Sequence, residues 1–186
     1  MFYVLFNSRR DPNTDPIVLW LTGGPGCASE IALFFENGPF MFDSNSSLIS
    51  NPYSWNNYSN LLYVDNPVGT GFSHVESFED YDTNEYQIAV TMKKFLQGFV
   101  DQNPQFKGRD FFITGESYAG HYIPSIAYYL VNNPQDFDLK FKGIAIGNGW
   151  VDPYVQYPKY ADFAYENNLI GFISYVALKA SFVGCQ

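Results

Sequence analysis

An α/β chain is what the sequence predicts, with a mostly parallel sheet and helices on both of its faces. Three observations carry that expectation. Short apolar runs recur between turn signals, an amphipathic helical stripe lies between two of them, and one run passes through a sharp turn into a second helix. Parallel strands need a crossover connection, and a helix usually supplies it, so strands alternating with helices imply a parallel sheet.

The elements follow in chain order. Phe2, Val4 and Phe6 alternate with Tyr3 and Leu5 in a nearly all-apolar run, which reads as a strand. Asp11-Pro12-Asn13-Thr14-Asp15-Pro16 is a turn, because proline fixes φ and Asn or Asp side chains bond their own backbone. Ile17 to Leu21 is a continuous apolar run, as expected of a strand buried on both faces. It empties into Thr22-Gly23-Gly24-Pro25-Gly26, a loop with wide backbone freedom. Further strands are expected at 61–64, 111–114 and 143–146. Between the first and second of these positions, Ile88, Met92, Phe95, Leu96, Phe99 and Val100 fall on one helical stripe. Asp82 or Thr83 is its expected cap, and Asn103-Pro104 its stop. A second helix is expected from Tyr118 to Val131, with Tyr122, Ile126, Tyr129 and Leu130 inward and Pro124 in its interior.

Composition removes several function classes. The chain has 186 residues, the length of one domain. It is 46% hydrophobic and 19% aromatic, which supplies a core and argues against disorder. A net charge of −9 with no basic patch excludes nucleic-acid binding by phosphate neutralisation. No apolar run reaches the roughly 18 residues of a membrane helix. The two cysteines, Cys27 and Cys185, lie too far apart in sequence for local metal-ligand spacing, and no metal or cofactor is implied. Asn45-Ser46-Ser47 and Asn57-Tyr58-Ser59 are glycosylation sequons, motifs short enough to arise by chance.

The most informative stretch is Phe111-Phe112-Ile113-Thr114-Gly115-Glu116-Ser117-Tyr118-Ala119-Gly120. A buried strand runs into Gly-x-Ser-x-small and then into a helix. A nucleophilic serine needs this arrangement, so that its hydroxyl projects above the sheet from a strained strand-to-helix turn. Small residues at 115 and 119 let the two backbones approach. The short motif also arises by chance; the flanking strand and helix are what single this copy out.

The resemblance extends well beyond that motif. Trp20-Leu21-Thr22-Gly23-Gly24-Pro25-Gly26-Cys27, Glu36-Asn37-Gly38-Pro39, Asn51-Pro52-Tyr53-Ser54-Trp55-Asn56, Asp65-Asn66-Pro67-Val68-Gly69-Thr70-Gly71-Phe72-Ser73, Gly115 to Pro124 and Gly147-Asn148-Gly149 follow one another in order. Together they resemble the signatures of the serine carboxypeptidases, in particular the carboxypeptidase Y and plant type-three branch. The resemblance covers the whole chain and implies part of an α/β-hydrolase fold. It also implies an exopeptidase acting on the C-termini of peptides and proteins at acidic pH, in a lysosome or vacuole or after secretion.

The same resemblance implies roles by position. Ser117 is the nucleophile. The backbone N–H groups of Gly24 and Tyr118 form the oxyanion hole. Thr22, the Gly23 backbone, Glu36 and Glu116 bind the substrate's terminal carboxylate, with Trp20 in support. Position 22 departs from the asparagine of many members, and threonine offers one hydroxyl in place of an amide donor. Cys27 and Cys185 are each implied to pair with cysteines outside this chain. Two glutamates are an unexpected receptor for an anion, but burial and like charge raise carboxyl pKa values, and a protonated carboxyl donates.

The triad of this fold runs Ser, Asp or Glu, then His. The only histidines are His74, before the serine, and His121, on the serine's own helix, away from which an elbow serine points. Both are expected to be structural, hydrogen-bonded in or near the core. The family's Asp and His resemble nothing here, so the chain is expected to be the N-terminal part of a longer domain and inactive alone. Alternatives on the same scaffold are a catalytically dead protein that binds peptide termini, and an acyltransferase.

Overall fold

The computed structural model describes residues 1–184 of the chain. The described residues form two compact units, Met1–Gly149 and Trp150 onward.

The first unit is built on β1 (Tyr3–Phe6), β2 (Ile17–Leu21), α1 (Glu30–Phe35), β3 (Phe40–Phe42), β4 (Leu48–Ser50), β5 (Asn60–Val64), α2 (Glu85–Gln102), β6 (Asp110–Glu116), α3 (Ala119–Asn132) and β7 (Lys140–Gly147). Five strands make one sheet in the order β1-β5-β2-β6-β7. All neighbours are parallel except β1, which pairs antiparallel with β5. The five expected strands are therefore the five of this sheet. β3 and β4 form a separate antiparallel hairpin that the apolar patterning did not single out, since Phe40, Met41, Phe42, Leu48 and Ile49 are all exposed.

Alternation along the central strands divides the sheet into two buried faces. Ile17, Leu19 and Leu21 of β2, Leu62 and Val64 of β5, and Phe111 and Ile113 of β6 point to one face, where α2 and α3 cover them. Trp20, Leu61 and Tyr63 point to the other, against Ala32 and Leu33 of α1. Helices thus lie on both faces. The α2 stripe packs as its periodicity requires: Ile88, Met92, Leu96, Phe99 and Val100 are buried and Phe95 packs against the same cluster. Its cap is Asn84 rather than Asp82 or Thr83. Asn84 is extended and accepts from the Gln87 N–H at 3.0 Å, while Thr83 bonds the Gln87 side chain and Asp82 accepts from Thr91. Pro124 sits inside α3 with its ring on the exposed side, and its missing N–H removes the helical bond to the Gly120 carbonyl.

The second unit contains α4 (Pro153–Glu166) and α5 (Phe172–Val183). Asp152 caps α4 by accepting from Val155, with proline at the first helical position. The two helices are joined by Lys179 Nζ to Asp162 at 2.8 Å and by the stacked Tyr165 and Tyr175 rings, 4.7 Å apart.

Candidate active site

β6 delivers Ser117 to the end of the sheet. The Ser117 N–H donates to the Gly147 carbonyl at 3.1 Å, continuing the β6–β7 ladder by one residue. The chain then reverses into α3, whose N-cap is Tyr118. Ser117 sits at φ 57°, the left-handed region, and its side chain is exposed. A non-glycine residue held there costs about 1–3 kcal/mol and persists only where its surroundings impose it. They do so through close approach: a Cβ on Gly115 would lie 2.2 Å from the Leu21 carbonyl oxygen and 3.0 Å from the Ala119 Cβ.

β2 is the parallel neighbour of β6, so its C-terminal loop emerges beside Ser117. A Cβ on Gly23 would lie 2.5 Å from the Tyr118 nitrogen and 2.9 Å from the Ser117 Cβ. Only glycine lets the loop close on the elbow. The Cys27 N–H folds the loop back onto the Gly23 carbonyl at 3.1 Å, with the exposed Gly24 at φ 114° on its rim. A second tether, from the Gly26 N–H to the Tyr122 hydroxyl of α3, spans 3.2 Å.

The remaining sequence-derived residues gather at the same end of the sheet. Trp20 is buried and donates from Nε1 to the Thr22 hydroxyl at 3.1 Å. That hydroxyl accepts from Trp20 and keeps its proton for a further acceptor. The Trp20 ring meets Trp55 edge-on at 5.3 Å. Glu36, just past α1, brings its carboxyl within hydrogen-bonding reach of Glu116, the residue before the serine. Desolvation first, and the facing Glu116 carboxylate second, push the Glu36 carboxyl up to about 7 from its ordinary 4.5.

The Asn51–Asn56 motif holds that segment. The Asn37 carbonyl accepts from the Ser54 hydroxyl and the Trp55 N–H, the Gly38 carbonyl accepts from the Asn51 amide, and the Tyr63 hydroxyl donates to the Asn37 side chain at 2.8 Å.

Sequence reading assigned no role to Asp65, although it opens one of the quoted motifs. It is 1% exposed and accepts from the backbone N–H groups of Ser29 and Phe72, each at 2.8 Å. The Ser29 hydroxyl in turn donates to the Val64 carbonyl and accepts from the Thr22 N–H. Asp65 thus fixes the chain after the Gly23–Cys27 loop to the end of β5. Glu30 faces Asp65; burial first and then that carboxylate raise the Glu30 pKa. The Gly26–Tyr122 bond was equally invisible, since it links residues 96 apart in sequence.

The histidines divide. His121 is half-buried, with its ring 4.9 Å from Tyr118. His74 is exposed, contrary to the expected core position, because it lies in the solvated stretch that follows the buried Ser73. Cys27 is a half-buried free thiol, and Cys185 lies outside the described residues. Asn45 is exposed at the tip of the β3–β4 hairpin. Asn57 is half-buried, and its amide donates to the Pro52 carbonyl and accepts from Arg9. Among the described residues no His, Cys, Asp and Glu cluster could hold a metal ion, and no helix is long and apolar enough to cross a membrane.

A family model described as serine carboxypeptidase matches residues 1–183. Serine carboxypeptidase-like 48 of Arabidopsis thaliana is 48% identical over 189 residues, spanning 100% of this chain and 37% of that protein. Serine carboxypeptidase S10 family member 1 of Dictyostelium discoideum is 43% identical over 187 residues, spanning 100% of this chain and 45% of that protein. The crystal structure of Kex1Δp, a prohormone-processing carboxypeptidase from Saccharomyces cerevisiae, superposes with a TM-score of 0.81 at 34% identity, over 91% of this chain and 38% of that one. The chain spans less than half the length of these proteins, and its sheet is part of their α/β-hydrolase fold.

Proposed function

The chain belongs to the serine carboxypeptidase family, and on that premise we propose that it is the N-terminal part of an enzyme that hydrolyses the C-terminal peptide bond of peptides and proteins through an acyl-enzyme on Ser117. The observation that carries this reading is the meeting, at one end of the sheet, of an exposed serine at φ 57° with a carboxyl pair made by the residue before it, Glu116, and Glu36. An elbow serine alone suits any acyl transfer. A protonated carboxyl pair beside it suits substrates that end in a free carboxylate.

The roles divide as follows. Ser117 attacks the scissile carbonyl. The Gly24 and Tyr118 N–H groups receive the oxyanion, a task that needs donors already in place before charge develops. Glu36 and Glu116 share a proton and donate it to the terminal carboxylate, together with the Thr22 hydroxyl and the Gly23 backbone, while Trp20 orients Thr22. The base that takes the serine's proton, and the acid that orients it, belong to the part of the full-length protein outside the matched stretch. His121 sits on the serine's own helix and is a poor base for it. Cys27 and Cys185 pair with that same outer part. The carboxyl pair works while protonated, which suits a lysosome, a vacuole or an acidic exterior. Asn45 is the better glycan acceptor, because Asn57 already spends its amide on Pro52 and Arg9.

The test is release of the C-terminal residue from a blocked dipeptide by the protein at its natural length, with covalent trapping by a fluorophosphonate. Trapping should fall on Ser117, and Ser117→Ala should lose turnover and trapping together. Turnover that survives Ser117→Ala overturns the assignment. Transfer of the acyl group to an added alcohol in preference to water would identify an acyltransferase instead, and a protein that is trapped nowhere would be a binding protein.

A further inference from the structure

Two backbone donors serve one oxyanion only if their spacing is fixed before the reaction, because donors that must move into place lose most of their value. Tyr118 is anchored at the start of α3. Gly23 packs on the elbow and holds the loop at one end, but Gly24, Pro25 and Gly26 beyond it are all exposed. The Cys27-to-Gly23 bond closes the loop on itself without tying it to α3. The Gly26 N–H, two residues from Gly24, is tied to α3 through the Tyr122 hydroxyl at 3.2 Å.

Tyr122 is 1% exposed, one turn along the helix that the serine opens. Its ring also braces the Tyr118 ring edge-on, 5.1 Å between centroids at 65°. One side chain therefore touches both the residue two beyond Gly24 and the ring of Tyr118. A buried hydroxyl is costly unless it is bonded, and phenylalanine would fill the same space without that cost. The oxygen at this position answers to the loop.

We propose that Tyr122 is a positioning residue that sets the distance between the two oxyanion donors, its hydroxyl holding the Gly24 loop through Gly26 and its ring holding Tyr118. The inference rests on the carboxypeptidase reading through the assignment of Gly24 and Tyr118 as donors. Burial pushes the Tyr122 hydroxyl up to about 12, so it stays neutral and the tether holds in acid as at neutral pH.

Tyr122→Phe deletes one oxygen. In the protein at its natural length, kcat should fall about 10-fold on both a blocked dipeptide and the matching ester, less than the loss from deleting a donor outright. KM should stay within about twofold, because ground-state binding does not use the oxyanion hole. Affinity for a peptide boronate, which mimics the tetrahedral intermediate, should drop by the same factor as kcat, while affinity for the released amino acid is unchanged. A merely structural tyrosine would lower thermal stability and leave these ratios alone. Wild-type kcat in the variant, or a change in KM only, overturns the inference and leaves the carboxypeptidase reading intact. A wild-type protein that cleaves neither substrate overturns the reading and the inference with it. If the variant folds poorly, amide exchange in the wild type still decides: the Gly26 N–H should be protected, and exchange as fast as a free loop amide overturns the proposal.

Discussion

Glu36 carries the pH dependence that the proposed enzyme should show. Its carboxyl titrates at about 7, raised by desolvation and by Glu116, so the pair holds a proton through the acid range and loses it above neutrality. With the proton the pair donates to a substrate carboxylate; without it three anions face one another. KM for a blocked dipeptide should therefore climb as pH rises through about 7, with a smaller change in kcat. The matching ester, which lacks the terminal carboxylate, should show a flat KM. Glu36→Gln supplies a permanent amide donor and should flatten the dipeptide profile; an unchanged profile would mean that another group controls the site. Gly23 gives a second expectation at this scale. A Cβ there would stand 2.5 Å from the Tyr118 nitrogen, a contact with backbone that cannot swing aside. Gly23→Ala should push the loop off the elbow and cut kcat by about 100-fold, the loss expected when an oxyanion donor is displaced. Ser117 is legible in the sequence because the elbow is local and its steric demands name the residue types, whereas Glu116 and Gly23 are reached only through the resemblance of the longer motifs. Asp65 and Tyr122 are not legible, because their partners are brought to them only by the sheet order.

At the scale of elements, the helix α2 shows what periodicity can and cannot say. Its stripe names the buried side, and Leu96, 0% exposed, is its centre. Leu96→Ala should cost about 2–5 kcal/mol by urea denaturation, the range for a buried leucine whose cavity only partly collapses. Asn84→Ala should cost about 1 kcal/mol by removing the bond to the Gln87 N–H; no loss would return the cap to Thr83. The missed elements share a cause. α1 is 6 residues long, too short to show a period. The β3–β4 hairpin is apolar on exposed positions, so its residues do not alternate by burial. α4 carries Pro158 in its interior, which reads as a break. α5 is apolar almost all round, which hides the face that a helical period would reveal. Strands buried on both faces announce themselves by composition alone, and for that reason β2, β5 and β6 are the best-read part of the chain.

Across the whole molecule, the carboxyl groups whose pKa values are shifted fall into two sets with opposite consequences for stability. Glu30, Glu36, Asp82 and Glu85 are raised, in each case chiefly by burial. Asp15 and Asp162 are lowered to about 2, by hydrogen bonds from Arg10 and Lys179 respectively, and Asp138 is lowered by Lys107. Stability changes with pH in proportion to the difference in protons bound by the unfolded and native states. For the raised set the native state holds more protons from the ordinary carboxyl range up to about 7, the value for Glu36, so stability falls as pH rises through that window. For the lowered set the unfolded state holds more protons between about 2 and the ordinary 3.8, so stability is lost as pH falls through that lower window. The net charge of −9 at pH 7 acts in the same sense as the raised set, because self-repulsion grows as carboxyls ionise. The two windows leave a maximum between them. The urea midpoint should be highest near about pH 5, lower near about pH 7.5 and lower again near about pH 2.5. Glu36→Gln should shrink the decline between the first two, since one of the groups that drives it no longer titrates. A midpoint that rises steadily from pH 5 to pH 7.5 would mean that the buried carboxyls ionise at their ordinary values, and the shared proton of Glu36 and Glu116 would go with them.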